Sequence, residues 1–321
     1  MEDLDFKAHL SSVTKFQYGL LVPCYNASRY VNDFVATIEN QTKRFDEVIF
    51  FDDYSTDNTV QLLENAGYKV LKGIRNEGPS FARNALANAT NCTYFHFHDI
   101  DDFLHPDYLL KTSQIAEEKE VDVILCNVDW LDNSKQKTLI SWKYSNRLIN
   151  LDAINYTISH PIGGINGLYK KLAFNNINGF NSNIKLWEDA DLHVRLALNN
   201  SKFHVIEEVL SFAVRGDNTL SSNQRKAWIT RVNLLRDYFN KHRSQINLQV
   251  IGYEAQKAAF QLALLQDFKK SKEAFLLSEQ CGVSVPDKQT SIWKLFHKLP
   301  AWLRIELRVL QLRIAFRKNR E

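Results

Sequence analysis

The stretch Thr93-Tyr-Phe-His-Phe-His-Asp-Ile-Asp-Asp102 decides how this chain is read. Its first half is apolar and aromatic, as befits a strand buried at the centre of a sheet. It then ends in three carboxylates within four residues, Asp99, Asp101 and Asp102. Carboxylates this close repel one another, which raises a pKa or calls for a cation. A hard divalent ion, Mg²⁺ or Mn²⁺, takes oxygen ligands and is commonly completed by substrate phosphates. On that reading Asp99-x-Asp101 holds a metal bound to a diphosphate. Taken alone, the stretch is explained equally well as a solvated acidic turn capping a helix near Pro106.

Working outward, strand and helix signals alternate. Tyr18 to Val22 reads as a strand ended by Pro23, and Ser28 as the cap of a helix running to about Gln41. Glu47 to Phe51 is a second strand, ending in Asp52-Asp53. Thr56 or Asp57 caps a helix that stops at Gly67. Tyr68 to Leu71 is a third strand, and Asn76-Glu-Gly-Pro79 turns into a helix over 80–88. This βαβ spacing predicts a mostly parallel, doubly wound α/β sheet. Ligands of such sheets bind beyond the carboxyl ends of the strands. Pro23 to Asn26, Asp52 and Asp53, Asn76, and Asp99 with Asp101 all sit at those ends, so topology brings them to one pocket.

Beyond Pro106 a helix reaches about Lys119 and a strand covers Val121 to Cys126. A strand near Leu139, a helix from Asp152 and a flexible loop, His160 to Gly164, follow. Gly167 to Tyr169 is a strand, and Trp187-Glu-Asp-Ala-Asp191 opens a helix. Phe203–Ile206 and Val209–Val214 read as two strands. From Asn223 onward only helical signals remain. The expected organisation is an arm over 1–15, an α/β domain over 16–222 and a helical region over 223–321.

The 321 residues are 45% apolar with net charge +3, which allows a sizeable core and argues against general nucleic-acid binding. From Ser291 onward, however, eight Lys/Arg face two Glu. The final helix shows two apolar stripes, Leu303/Leu307/Leu310/Ile314 and Trp302/Ile305/Val309/Leu312/Phe316. One could pack on the body and the other on an anionic membrane surface, through residues 290–321. A homodimer helix and plain intramolecular core are the alternatives. Cys24, Cys92, Cys126 and Cys281 have no metal spacing, which suits a reduced, cytoplasmic compartment. No signal-peptide pattern or membrane-length apolar run is read, so attachment would be peripheral, on the inner face of the cell membrane.

Five segments, in this order and at these intervals, resemble the inverting family 2 glycosyltransferases of the GT-A fold. They are Val22-Pro-Cys-Tyr-Asn26, Phe51-Asp-Asp-Tyr-Ser-Thr-Asp-Asn-Thr59, Arg75-Asn-Glu-Gly-Pro-Ser-Phe-Ala-Arg-Asn84, His98-Asp-Ile-Asp-Asp102 and Trp187-Glu-Asp-Ala-Asp-Leu-His-Val-Arg195. The resemblance spans roughly 18–222. It implies a GT-A sheet with a C-terminal helical extension, and transfer of a hexosyl or N-acetylhexosaminyl group. The donor would be a nucleotide-sugar, most simply UDP-linked, and the acceptor a glycan or lipid-linked glycan of surface polysaccharide assembly.

By the same resemblance Pro23 and Tyr25 seat the nucleobase, and Asp53 accepts the uracil imide N–H. Asn76, Arg83 and Arg215 face the nucleotide-sugar. Asp101 ligates Mn²⁺ or Mg²⁺, with Asp99 on the ribose side or on a metal-bound water. Asp189 is the general base, and Trp187 and Glu188 lie on the acceptor side. A metal or diphosphate contact is left open where the family often has His after the late Arg; Asp217 is the candidate ligand there. Tyr54 stands where the family often has Gly, and Ile100 where it is often small. His96, His98 and His193 are read as packed residues without chemistry. A nucleotidyltransferase would share the sheet and the acids but needs a basic, glycine-rich loop after the first strand. A non-catalytic nucleotide- or glycan-binding module is the third class.

Overall fold

The computed structural model describes residues 16–215, 223–284 and 298–318; the N-terminal arm expected over 1–15 lies outside them. Strand β1 (Tyr18–Cys24), α1 (Val31–Glu39), β2 (Glu47–Asp52), α2 (Thr59–Asn65), β3 (Lys69–Lys72), α3 (Pro79–Ala89) and β4 (Tyr94–Phe97) alternate as expected. Next come β5 (Phe103–Leu104), α4 (Tyr108–Glu118), β6 (Val123–Leu131), β7 (Thr138–Trp142), α5 (Asn146–Leu151) and α6 (Ala153–Ser159). They are followed by β8 (Gly167–Lys170), α7 (Lys171–Asn176), α8 (Glu188–Leu198) and β9 (Phe203–Val214). The C-terminal region holds α9 (Gln224–His242), α10 (Leu248–Leu264), α11 (Phe268–Gln280) and α12 (Ala301–Lys318).

The strands form one sheet in the order β3-β2-β1-β4-β8-β6-β9-β5, with β7 beside β6. The β3-β2-β1-β4 half is parallel, whereas β8 runs antiparallel to both β4 and β6. Both faces are covered, which is why the strand runs are nearly continuous in apolar residues. Leu21, Ile49, Phe51, Phe95 and Phe97 pack on one side with Ala82 and Leu86 of α3 and Leu192 and Leu196 of α8. Leu20, Val22, Phe50 and Tyr94 pack on the other with α1 and with Tyr108 and Leu109 of α4.

Three sequence expectations change. Pro23 does not end β1 but pairs with Phe51 inside it. It is tolerated because β4 leaves the other side of β1 at Phe97, so no ladder donor is needed there. The two late strands are one, β9. Against β6, Cys126 faces Ile206 and Asn127 faces Val209, so Glu207 and Glu208 bulge into solvent and mimic a turn in the sequence. Helix α1 starts at Val31 without a side-chain cap, while Ser28 donates its N–H to Asp57 instead.

The C-terminal helices sit firmly on the sheet domain. Leu234, Leu235, Tyr238, Ile251 and Leu277 share one core with Ile158 of α6 and Val194 of α8. Helix α12 buries Ile305, Val309 and Leu312 against α9, α10 and α11. Of its other stripe, Leu310 and Ile314 are exposed and Leu303 and Leu307 half-buried; Trp302, read in the sequence with the inward stripe, is exposed as well. No helix among the described residues is long and apolar enough to cross a membrane.

Candidate active site

Arg83 stands at the centre of the site. Helix α3 delivers it from Gly78, whose positive φ of 91° suits glycine, through Pro79 at the first helical turn. Its side chain is buried, yet it reaches three carboxylates. Nη2 donates to Asp99 Oδ1 at 2.7 Å. Nη1 lies 3.4 Å from Asp189 Oδ1 and 3.6 Å from Glu188 Oε1. Burial alone would lower the guanidinium pKa, but Asp99, Asp189 and Glu188 together raise it above its ordinary value. A single fixed cation therefore joins the acids at the end of β4 to those at the start of α8.

The acids themselves are strained electrostatically. Burial, then Asp99, pushes Asp101 up to about 6. Asp102 is pushed up further by burial, Asp99 and Asp101, and its Oδ1 accepts the Val214 N–H at 2.8 Å. It thus ties the turn to the end of β9. Glu188 is raised to about 8 by burial and Asp189, against the pull of Arg83. Asp189 is raised by burial, while Arg83 and a backbone hydrogen bond from Gly164 oppose the shift.

Several devices hold Asp189. His193 Nδ1–H donates to the Asp189 carbonyl at 2.7 Å, and its Nε2 accepts from the Tyr169 hydroxyl at 3.0 Å. Burial lowers His193 to about 4, so the ring is neutral and its tautomer is fixed by the carbonyl. Gly164 presses its backbone on the carboxylate: a Cβ built there would lie 2.8 Å from Asp189 Oδ1. This glycine, read in the sequence only as part of a flexible loop, belongs to the site. The Gly163-Gly164 pair was the signal. The run begins at Trp187, in the left-handed region at φ 68°.

The remaining expected residues are spread over the same strand ends. Asp53 accepts the N–H groups of Glu77 and Gly78 at 2.9 and 2.7 Å, one on each oxygen. Each oxygen keeps a second lone pair for a ligand. Pro23 is half-buried, while Tyr25 and Asn76 are exposed. Arg215 is exposed at the end of β9, its N–H on the Leu131 carbonyl. Asp217 lies outside the described residues. Tyr54 adopts φ 72°, which explains why glycine would be expected there.

Trp187 faces inward: its indole N–H donates to the Ala227 carbonyl, and it packs with Trp228 and under Arg231. Asp191 is buried between Arg195 at 2.7 Å and the Tyr238 hydroxyl at 3.1 Å. His96 and His98 are buried and linked at 3.1 Å, and burial lowers both pKa values. All four cysteines are free and buried.

The glycosyl transferase family 2 model matches residues 20–174. Over those residues the chain belongs to that family. It is 26% identical over 250 residues to the minor teichoic acid biosynthesis protein GgaA of Bacillus subtilis (strain 168), covering 70% of this chain and 55% of that protein. It is 27% identical over 208 residues to the chondroitin synthase of Escherichia coli, covering 63% of this chain and 29% of that protein. The chain thus spans about half or less of the length of these curated relatives. The crystal structure of S. aureus TarS 1–349 in complex with UDP-GlcNAc shares its fold, with a TM-score of 0.69 at 18% identity over 94% of this chain and 92% of that one. The GT-A fold expected for the family is the fold observed.

Proposed function

We propose that this family 2 member is a metal-dependent, inverting glycosyltransferase. It moves a hexosyl or N-acetylhexosaminyl group from a UDP-linked donor to a glycan or lipid-linked glycan of surface polysaccharide assembly. The observation that carries the reading is the Arg83 bridge. It brings the strand-end acids, on the donor side, within one guanidinium of Asp189. The TarS complex with UDP-GlcNAc supports the choice of donor.

In this reading Asp189 accepts the proton of the acceptor hydroxyl as that oxygen attacks the anomeric carbon. The bond from that carbon to the diphosphate breaks on the opposite face, the nucleotide leaves with the electron pair, and the configuration inverts. A carboxylate whose pKa is raised is a better base than an ordinary one. Asp189→Asn is expected to lower transfer by roughly 10²–10⁴-fold. UDP binding, read by thermal shift, should stay near wild type. Near-normal turnover in that variant would falsify the assignment.

The donor set fits a divalent ion held largely by its nucleotide. Among the described residues no group of three or more His, Cys, Asp or Glu forms a closed cage. Asp101, raised by burial and by Asp99, offers the oxygen that a cation would relieve. Asp99 has one oxygen on Arg83 and the other for a ribose or metal-bound water. When bound, such an ion supplies positive charge to the departing diphosphate.

The open stripe of α12 is proposed to rest on an anionic membrane surface. Trp302, Leu310 and Ile314 supply the apolar contact. Arg304 is less free for lipid than its place in the sequence suggests, because it pairs with Glu279 at 2.6 Å. Co-sedimentation with anionic liposomes tests this. Removal of residues 290–321 should abolish it, and equal binding by both chains sinks the idea.

A further inference from the structure

Beside the general base lies an aromatic surface that the chemistry above does not use. Strands β6 and β7 form a hairpin in which Val128 faces Trp142 and Trp130 faces Ile140. Side chains alternate along a strand, so Val128, Trp130, Ile140 and Trp142 share one face. The two indoles are 5.2 Å apart and inclined at 58°. Trp130 is the inner ring, packed with Val128, Ile165 and Ala213. Trp142 and Ile140 remain 37% and 45% exposed. The indole N–H of Trp130 is buried and has no partner among the described residues.

This face is continuous with the proposed base, Asp189. The Trp142 ring lies against Gly163, 3.2 Å from where a Cβ would stand. The next residue, Gly164, touches the Asp189 carboxylate. On the other side, β9 runs alongside β6 to Arg215, and Val214 is tied to Asp102. The platform therefore stands between the base and the metal-side turn, where an acceptor must enter.

We infer that Trp142, backed by Trp130, binds a pyranose ring of the acceptor glycan and aims its hydroxyl at Asp189. A pyranose presents a face of polarised C–H bonds, which suits the negative face of an indole. Its hydroxyls at the ring edge stay free to meet Asp189. A linear polyol phosphate lacks such a face and would gain little from the platform. The inference rests on the glycosyltransferase reading and adds to it the side chains that seat the acceptor.

Saturation-transfer NMR with cellotriose and chitotriose, and with glycerol 3-phosphate as the charged polyol, tests it on the full chain. The wild type should saturate the ring protons of a trisaccharide and leave glycerol 3-phosphate untouched. Trp142→Ala should weaken the trisaccharide by roughly tenfold, and Trp142→Phe should restore most of the loss. The UDP-induced thermal shift should be unchanged in both variants, which also shows that they are folded. The idea is overturned if the trisaccharides bind equally to Trp142→Ala, if none binds the wild type, or if only glycerol 3-phosphate binds. It is also overturned if sedimentation shows that Trp142→Ala splits a dimer, for the face would then belong to a second copy. Each of these leaves the donor reading intact, whereas absence of a UDP shift in the wild type strikes that reading itself.

Discussion

Asp99, Asp101 and Asp102 at the end of β4 look much like Glu188, Asp189 and Asp191 at the start of α8: three acids in four residues. They share a plan. In each run one acid is buried and anchors a neighbour, Asp102 the Val214 N–H and Asp191 the pair Arg195 and Tyr238. The other two stay partly open toward the cleft. The runs differ in charge. Arg83 sits on both open acids of the second run but on only one of the first. Asp101 is left raised by burial and by Asp99. Each run keeps a raised acid, Asp101 and Glu188, but only in the second does the guanidinium reach it, so the room for a further cation is beside Asp101.

The strongest way to break this picture is to remove the shared cation. Arg83→Met leaves buried carboxylates facing each other from two elements, and should cost about 3–5 kcal/mol of stability in urea unfolding. It should also abolish transfer. Arg83→Lys keeps the charge but cannot reach both sides with one planar fork, so it should recover more stability than activity. A Met variant as stable as wild type would mean that the bridge does not hold the two runs together.

The next test separates the anchors from the open acids. Asp191→Asn weakens the contacts to Arg195 and Tyr238 and should destabilise the fold by about 1–3 kcal/mol. Donor binding and turnover of the folded fraction should hardly change, since Asp191 faces α9 rather than the cleft. If turnover collapsed with stability intact, Asp191 would belong to the chemistry and the shared plan would fail.

Much of the site was legible because it lies at strand ends, where topology alone gathers residues from distant segments. Tyr25, Asp53, Arg83, Asp99 and Asp189 come from five places in the chain. The sequence could not say that Arg83 is buried against three acids, because Asp99 lies 16 positions away and Glu188 and Asp189 lie 105 and 106 away. Nor could it show Gly164, whose role depends on a backbone approach and not on any side chain. Trp187 was misleading in the opposite way: its place beside the acids suggested the acceptor, but its indole packs against α9. The merged β9 was hidden by two exposed glutamates that look like a turn. In the helical region, periodicity gave both stripes of α12. Which stripe faces inward depends on small residues such as Ala258, Ala259 and Ala274 in the opposing helices.

The smallest expected effect concerns Glu188 and asks how complete the charge of the second run is. Burial and Asp189 raise its carboxyl from an ordinary 4.5 to about 8. A raised carboxyl pKa means that the native state keeps a proton the unfolded chain has already released. Its contribution to stability is therefore greatest below about 4.5 and declines as pH rises toward 8. Glu188→Gln is neutral at every pH and lacks this decline. The gap in unfolding free energy between variant and wild type should widen in favour of the variant between these two pH values, by on the order of 1 kcal/mol. Parallel pH profiles would mean that Arg83 already neutralises Glu188 in the native state, and that one guanidinium holds both open acids of the second run ionised.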